Sequence, residues 1–330
     1  MEYTFPKRLR LASLPTPIQR LDKLSTELGT NIWIKRDDLT ESVASGNKIR
    51  KLEFTLARAR EQGANVIITC GGIQSNHCRA TAILGAQHGF KVHLVLRGEQ
   101  PHEQEGNLFL DYLAGAEISY FSPRYYNARL DFIVKEISDE HKAKRERPYF
   151  VPTGASDATG VWGYINAAKE IKQQSVDMDV SFDHIVCATG SGGTQAGLTI
   201  GADIYELGAE VTGIAVCDDE DYFLSKVRSD ALEWKHLYQL DYDLRGMEIN
   251  VNDSYIGQGY AKASPQIFAF IEKILRLEGV ALDPVYTGKA LYGLVEEVRN
   301  GNINADNVLF VHTGGLFGLF AQRNQYFQST

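Results

Sequence analysis

The chain has 330 residues, 44% of them hydrophobic and 23% charged, the balance of a globular protein with room for about two domains at roughly 150 residues each. Its 42 acidic side chains against 34 basic ones leave a formal charge of −8. That charge opposes nucleic-acid phosphates and the anionic face of a membrane, so neither is an expected partner. No run approaches the roughly 18 apolar residues of a membrane span, and residues 1–10 lack the apolar core of a signal peptide, which makes a cytoplasmic location the expectation.

In chain order, the first strong signal is a helix over residues 48–62, where Ile49, Leu52, Leu56 and Ala59 recur on one face before Gly63. Val66-Ile67-Ile68-Thr69 then reads as a strand stopping at Gly71-Gly72, and the basic stretch at residues 142–147 reads as a solvated helix end. A second strand, Ile185-Val186-Cys187-Ala188, stops at Gly190. Ser264-Pro265 supplies an N-cap and a first-turn proline to a helix carrying Ile267, Phe270, Ile271, Ile274 and Leu275 up to Gly279. Val308-Leu309-Phe310-Val311 is a third strand before Gly314-Gly315. Apolar runs without alternation predict strands buried on both faces in a parallel sheet, so the chain reads as a βαβα alternation. Ligands in such folds collect beyond the carboxyl ends of the strands. No Pro/Ser-rich linker divides the chain, so the smaller domain is expected as an insertion, residues 51–159, within a larger one built from residues 1–50 and 160–330.

Cys70, Cys78, Cys187 and Cys217 include no CxxC pair and are expected as reduced thiols. The eight histidines form neither an HExxH motif nor a tight cluster with cysteine, so no metal site is expected.

Five segments carry polar chemistry. Thr189-Gly190-Ser191-Gly192-Gly193-Thr194 follows a buried strand and opens a helix, and its backbone amides and hydroxyls can cradle a phosphate or simply form a glycine-rich turn. Lys48 and Lys51 open an amphipathic helix, where the helix dipole opposes cations; they are solvated surface or part of an anion site, and a desolvated lysine becomes a nucleophilic amine. Gly71-Gly72-Ile73-Gln74-Ser75-Asn76-His77 is a polar loop after a strand. Asp283-Pro284-Val285-Tyr286-Thr287-Gly288-Lys289 and Val311-His312-Thr313-Gly314-Gly315 complete the set, each equally readable as buried hydroxyls with local partners.

Taken together and in this order, the five segments resemble the pyridoxal-phosphate enzymes of the tryptophan-synthase β-subunit fold type (fold type II), in the branch of the 1-aminocyclopropane-1-carboxylate deaminases and D-cysteine desulfhydrases. The resemblance runs from Thr16-Pro17-Ile18 and Ile34-Lys35-Arg36-Asp37-Asp38-Leu39 to Thr313-Gly314-Gly315. It implies an α/β fold with two open, mostly parallel twisted sheets flanked by helices, pyridoxal 5′-phosphate in the cleft between domains, and a homodimer. Carried over residue by residue, Lys48 resembles the lysine that bonds covalently to the cofactor. Lys51, Ser191, Gly192, Gly193 and Thr194 resemble its phosphate ligands, and Asn76 the partner of the ring hydroxyl. Ser75 resembles the hydroxyl beside the substrate's reacting carbons, Tyr286 an active-site tyrosine, and Tyr260, after Gly259, a second one. The substrate carboxylate is expected on Ser75, Asn76 and His77.

Within the branch, the cyclopropane deaminases usually carry Glu where this chain has Thr287, and Leu where it has Thr313. A carboxylate at the pyridine nitrogen favours the protonated ring, whereas a hydroxyl bonds a neutral ring. Opening a cyclopropane needs the stronger electron sink, whereas expelling a good β-leaving group does not, so Thr287 and Thr313 favour the desulfhydrase type. The expected reaction is α,β-elimination on a small amino acid, D-cysteine giving pyruvate, hydrogen sulfide and ammonia, with Lys48 or Ser75 removing the α-proton. The alternatives are a 1-aminocyclopropane-1-carboxylate deaminase producing 2-oxobutyrate, a lyase for L-cysteate or D-serine, and a catalytically silent protein that binds pyridoxal phosphate or a nucleotide. Ser45, Thr153-Gly154-Ala155-Ser156, Ala261 and the bulky residues 316–320 depart from the commonest branch pattern, and these departures bear on substrate size and stereochemistry.

Overall fold

The computed structural model describes residues 3–329. The chain opens with β1 (Ile18–Arg20), α1 (Asp22–Leu28), β2 (Asn31–Lys35) and α2 (Lys48–Glu61). It continues through β3 (Val66–Gly72), α3 (Asn76–Gln87), β4 (Lys91–Arg97), α4 (Gly106–Leu113), β5 (Glu117–Phe121), α5 (Pro123–Ala143) and β6 (Pro148–Val151). Next come α6 (Val161–Met178), β7 (His184–Thr189), α7 (Gly193–Ile204), β8 (Glu210–Ala215), α8 (Glu220–Leu237) and β9 (Asn250–Asn252). The last elements are α9 (Pro265–Glu278), α10 (Thr287–Arg299), β10 (Asn307–Val311), α11 (Leu316–Ala321) and α12 (Arg323–Ser329).

Two sheets result. β3 to β6 form a wholly parallel four-stranded sheet in the order β5-β4-β3-β6. The others form a six-stranded sheet in the order β1-β2-β10-β7-β8-β9, parallel except for β1 against β2. The three strands read from apolar runs are β3, β7 and β10, and every residue of β7 is buried, as helices on both faces require. No helix among the described residues is long and apolar enough to cross a membrane.

The helix predicted over residues 48–62 is α2, and Ile49, Leu52, Leu56 and Ala59 are all buried against Ile67, Leu94, Leu96 and Val151 of the four-stranded sheet. Each large aliphatic side chain so buried contributes roughly 1.5–3 kcal/mol. The helix predicted after Ser264 is α9, with the serine hydroxyl accepting from the Ile267 amide and Gly279 closing it at φ 70°. Leu275 departs from expectation: it is 46% exposed, because one residue past Ile274 turns it about 100° off the apolar stripe.

Arg50, on α2, lies in a buried polar network. Its guanidinium donates to Asp37 at 2.7 and 2.8 Å and to Glu170 of α6 at 3.0 Å. Lys35 donates to Glu170 at 2.5 Å and to the Thr16 carbonyl at 2.7 Å, and Tyr164 donates to Asp37 at 2.6 Å. Every charge here has an opposite partner, the condition under which buried ions are tolerated.

Candidate active site

The carboxyl ends of β3, β7 and β10 converge on a cavity of about 540 Å³, lined by Gly71 and Gly72 at the end of β3, Thr189 at the end of β7 with Gly190 after it, and Thr313 after β10. The three strand-to-glycine junctions therefore meet, but across two sheets.

Lys48, the first residue of α2, lies on the cavity wall. Gly46 sets it there: its φ is +105°, and a Cβ would come within 2.7 Å of the Thr313 carbonyl, which accepts the Asn47 amide at 3.1 Å. Only glycine permits that approach without strain. Burial and, second, the Arg79 guanidinium lower the Lys48 amine from 10.5 to about 8. The amine is 3.1 Å from Asn47 Oδ1. A neutral fraction is thus present near physiological pH, as a nucleophilic lysine needs.

Opposite Lys48 lies the start of α7. Gly192 precedes it at φ +83°, the first amide of the helix, that of Gly193, goes to Ser156 Oγ at 3.2 Å, and Ser191, Gly192 and Thr194 line the cavity here. Asn47 Nδ2 donates to Thr194 Oγ1 at 2.9 Å, tying this helix to α2. Gly193 is required because a Cβ would lie 2.7 Å from Ser156 Oγ and 2.9 Å from Ser156 Cα.

Lys51 stands one layer behind. It is fully buried, absent from the cavity wall, and donates to Ser156 Oγ and the Gly154 carbonyl, each at 3.1 Å. Ser156 Oγ also meets Ser191 Oγ at 2.8 Å and the Gly193 amide at 3.2 Å. Lys51 was expected to contact a phosphate directly, but it lies behind Ser156 and spends its protons on Ser156 and Gly154. Burial, then the charge of Lys48, pulls the Lys51 amine well below its ordinary range. Lys226 of α8 is a second lysine on the wall beside Lys48, donating to the Ser156 carbonyl at 3.2 Å and pairing with Asp230.

The third wall is the start of α3. Ser75 caps it, its hydroxyl accepting from the Cys78 amide at 3.1 Å. The amides of Asn76 and His77 fall in the first turn, where the helix offers no partner. Asn76 Oδ1 accepts from Asn107 Nδ2 at 3.0 Å and Arg79 Nη1 at 3.3 Å. Thr69 gives its one proton to the Val151 carbonyl, so at 2.7 Å it accepts from His77 Nε2. His77 Nδ1 is then a bare acceptor, buried without a protein partner on a residue of the cavity wall. Burial and the charges of Lys48 and Lys51 hold this imidazole neutral, well below its ordinary range.

Tyr286 and Tyr260 close the remaining side, their hydroxyls 2.8 Å apart. Arg97, 5.5 Å from the Tyr260 ring centre, backs the pair. Burial pushes the Tyr286 phenol well above its usual range and raises that of Tyr260, so both stay protonated.

Thr287 is the departure. It was expected at a ring nitrogen, but it is fully buried and absent from the cavity wall: its hydroxyl donates to Asp283 Oδ1 at 2.7 Å and accepts the Asp283 amide at 2.8 Å. Asp283 also accepts from the amides of Val285, Tyr286 and Thr287 at 2.8–3.0 Å, which caps α10. The residue pair is a helix cap, and Thr313 is the threonine that reaches the cavity. Arg79, Arg97, Ser156 and Lys226 were not found from the sequence. Ser156 lay in a segment singled out only as a departure, and the other three, Arg79 and Lys226 within helices and Arg97 at the end of β4, carry no local signal.

Comparison with known proteins agrees with this geometry. A family model described as pyridoxal-phosphate dependent enzyme matches residues 9–314. A putative 1-aminocyclopropane-1-carboxylate deaminase of Thermotoga maritima is 47% identical over 96% of this chain and 98% of its own. A mitochondrial bifunctional D-cysteine desulfhydrase/1-aminocyclopropane-1-carboxylate deaminase of Arabidopsis thaliana is 40% identical over 96% and 80%. A D-cysteine desulfhydrase of Klebsiella pneumoniae is 39% identical over 96% of each chain. Among solved structures, an ACC deaminase homologue superposes with a TM-score of 0.90 at 38% identity, covering 99% of this chain and 97% of that one. With these matches spanning nearly its full length, the chain belongs to the pyridoxal-phosphate-dependent enzyme family that holds the 1-aminocyclopropane-1-carboxylate deaminases and D-cysteine desulfhydrases, and pyridoxal phosphate is its cofactor.

Proposed function

We propose that the protein catalyses α,β-elimination on D-cysteine, in which one D-cysteine and one water give pyruvate, hydrogen sulfide and ammonia. The residues fit the cofactor: an amine lowered to about 8, and a helix start beside three lysines with the hydroxyl residues Ser191 and Thr194 on the cavity wall. Bound pyridoxal phosphate supplies an electrophilic carbon for amines and a ring that withdraws electrons from the substrate α-carbon. Lys48 would hold it covalently and would be the base for the substrate α-proton, with Ser75, also on the cavity wall, as the alternative base. Ser191, Gly192, Gly193 and Thr194 hold the phosphate, with Lys51 acting through Ser156. Asn76 bonds the ring hydroxyl. The first-turn amides of α3 beside Ser75, Asn76 and His77 receive the substrate carboxylate. Tyr286 and Tyr260, both protonated, supply a proton to the departing sulfur.

The observation that favours elimination over ring opening is the threonine pair. Asp283 and Thr287 bond each other three times and Asp283 also takes the amides of Val285 and Tyr286, so the start of α10 puts no carboxylate at the ring, and Thr313 offers a neutral hydroxyl. A neutral ring suffices to expel hydrosulfide. The name of the Thermotoga relative favours the second reading, cyclopropane deamination.

Purified holoenzyme is tested in parallel on D- and L-cysteine, D-serine, L-cysteate and the cyclopropane amino acid, measuring sulfide, sulfite, pyruvate and 2-oxobutyrate. Equimolar sulfide and pyruvate from D-cysteine is the expected result. Formation of 2-oxobutyrate from the cyclopropane, with no sulfide from D-cysteine, overturns the substrate assignment. A Lys48→Ala protein that purified as yellow as wild type, with cofactor that borohydride still fixed to the chain, would overturn the assignment of Lys48.

A further inference from the structure

A second cluster of ionisable groups lies in the four-stranded sheet, away from the cavity. His93 of β4 is in register with Glu117, the first residue of β5, and His141 comes from the last turn of α5. Along β4, His93 precedes the cavity-lining Arg97 by four residues, about 13 Å at ~3.3 Å per residue. His93 Nδ1 faces His141 Nε2 at 3.0 Å and Glu117 Oε2 at 3.6 Å, and the three donor atoms all lie within 4.8 Å of one another. Both imidazoles are buried, whereas the Glu117 side chain is half exposed.

We propose that His93, His141 and Glu117 bind a divalent transition-metal ion, zinc being the cation this donor set fits best. The remote ring nitrogens carry the argument. His141 Nδ1 is 2.6 Å from Glu146 Oε2, and a carboxylate can only accept there, so the proton sits on Nδ1 and the Nε2 lone pair faces inward. His93 Nε2 is 2.9 Å from Ser119 Oγ, which can accept its proton and leave Nδ1 bare as well. Lys91 in turn holds Glu146. A ligating histidine whose other nitrogen is fixed by a carboxylate or hydroxyl is the usual second layer of a zinc site. Two Zn–N bonds of ~2.0–2.1 Å at a tetrahedral angle put the nitrogens about 3.3 Å apart, close to the separation found here. Glu117, reaching in from the solvent side, supplies an oxygen and leaves the fourth position to water. Two imidazoles, one carboxylate and water suit zinc better than magnesium or calcium, which take oxygen ligands. Because the ligands come from β4, β5 and α5, a bound ion ties the outer edge of the sheet to its covering helix and stabilises the folded chain by mass action. The ligands are too far apart in the chain for a spacing motif, which is why sequence alone indicated no metal site.

The test uses chelator-treated holoenzyme titrated with Co²⁺, read by the visible absorption of tetrahedral cobalt, and with Zn²⁺, read by calorimetry and thermal melting. Wild type should take up one ion per chain with a rise in Tm. Glu117→Gln, at an exposed position that does not threaten folding, should bind at least tenfold more weakly, and His141→Gln should lose the cobalt spectrum. The visible band of the cofactor should be unchanged throughout. Folded wild type that takes up no stoichiometric ion refutes the site, as does binding left intact by Glu117→Gln; either result leaves the plain N–H···N pair between the histidines.

Discussion

Replacing Arg79 by glutamine should raise the pKa of the Lys48 amine and so reduce its reactivity near neutral pH. The amine is lowered from 10.5 to about 8, by burial first and the Arg79 guanidinium second. At pH 7 an amine at 10.5 is neutral in about one molecule in three thousand, whereas one at about 8 is neutral in about one in ten. Removing the cationic neighbour moves the midpoint from about 8 toward 10.5 and cuts the neutral fraction at pH 7 several-fold. The Arg79 guanidinium also donates to the Ser45 carbonyl at 2.6 Å and Asn107 Oδ1 at 2.7 Å, so the substitution costs roughly 1–3 kcal/mol in stability, and circular dichroism verifies the fold before titration. The assay is competitive acylation of the apoenzyme across pH 6–11 (on the order of half-unit steps), with the Lys48 peptide quantified by mass spectrometry. A wild-type midpoint near 10.5 would refute the attribution to burial. A folded Arg79→Gln protein with an unmoved midpoint would refute the role of Arg79.

Three further outcomes follow from the same geometry. Thr287→Val removes two hydrogen bonds of the α10 cap and should lower stability by about 1–2 kcal/mol while leaving the cofactor's visible band in place; Thr313→Val should do the reverse, shifting the band and lowering kcat about tenfold with little change in Tm. If melting curves and spectra of the two variants came out exchanged, the placement of these threonines would be wrong. Gly193→Ala, whose Cβ would lie 2.7 Å from Ser156 Oγ, should weaken pyridoxal-phosphate binding tenfold or more, about 1.4 kcal/mol, in titrations of the apoenzyme, and wild-type affinity would contradict the phosphate cradle. Tyr286→Phe breaks the 2.8 Å contact with Tyr260 and should lower kcat about a hundredfold with KM little changed; an unaltered kcat on D-cysteine would remove the tyrosine pair from proton transfer.

The strands and helices that place the cavity were legible because each carries a local signature. Apolar runs ending in glycine mark β3, β7 and β10, and a 3.6-residue period with Ser-Pro and Gly at its ends marks α9. Lys48, Ser75, Asn76, Ser191, Thr194, Tyr286 and Thr313 reached the cavity wall as expected because they sit at element termini, where motif and geometry coincide. What sequence could not give was the layer behind them. Lys51 and Ser156 meet across 105 residues, and whether a hydroxyl such as that of Thr287 turns to a ligand or to its own helix cap depends on three backbone amides nearby. Leu275 shows the same limit in the core, since one residue of helical phase separates a buried side chain from an exposed one.

The helix that carries Lys48 is anchored twice. Its apolar face is embedded in the core of the four-stranded sheet, while Arg50, in its first turn, is clamped to Asp37 and to Glu170 of a helix packed on the six-stranded sheet. The Lys48 amine therefore rides on a helix held to both sheets, so any sliding of one sheet past the other is transmitted to its position. Substitutions at Glu170, which does not line the cavity, then acquire kinetic weight, because loosening that grip detunes the alignment of the amine without touching anything in the cavity.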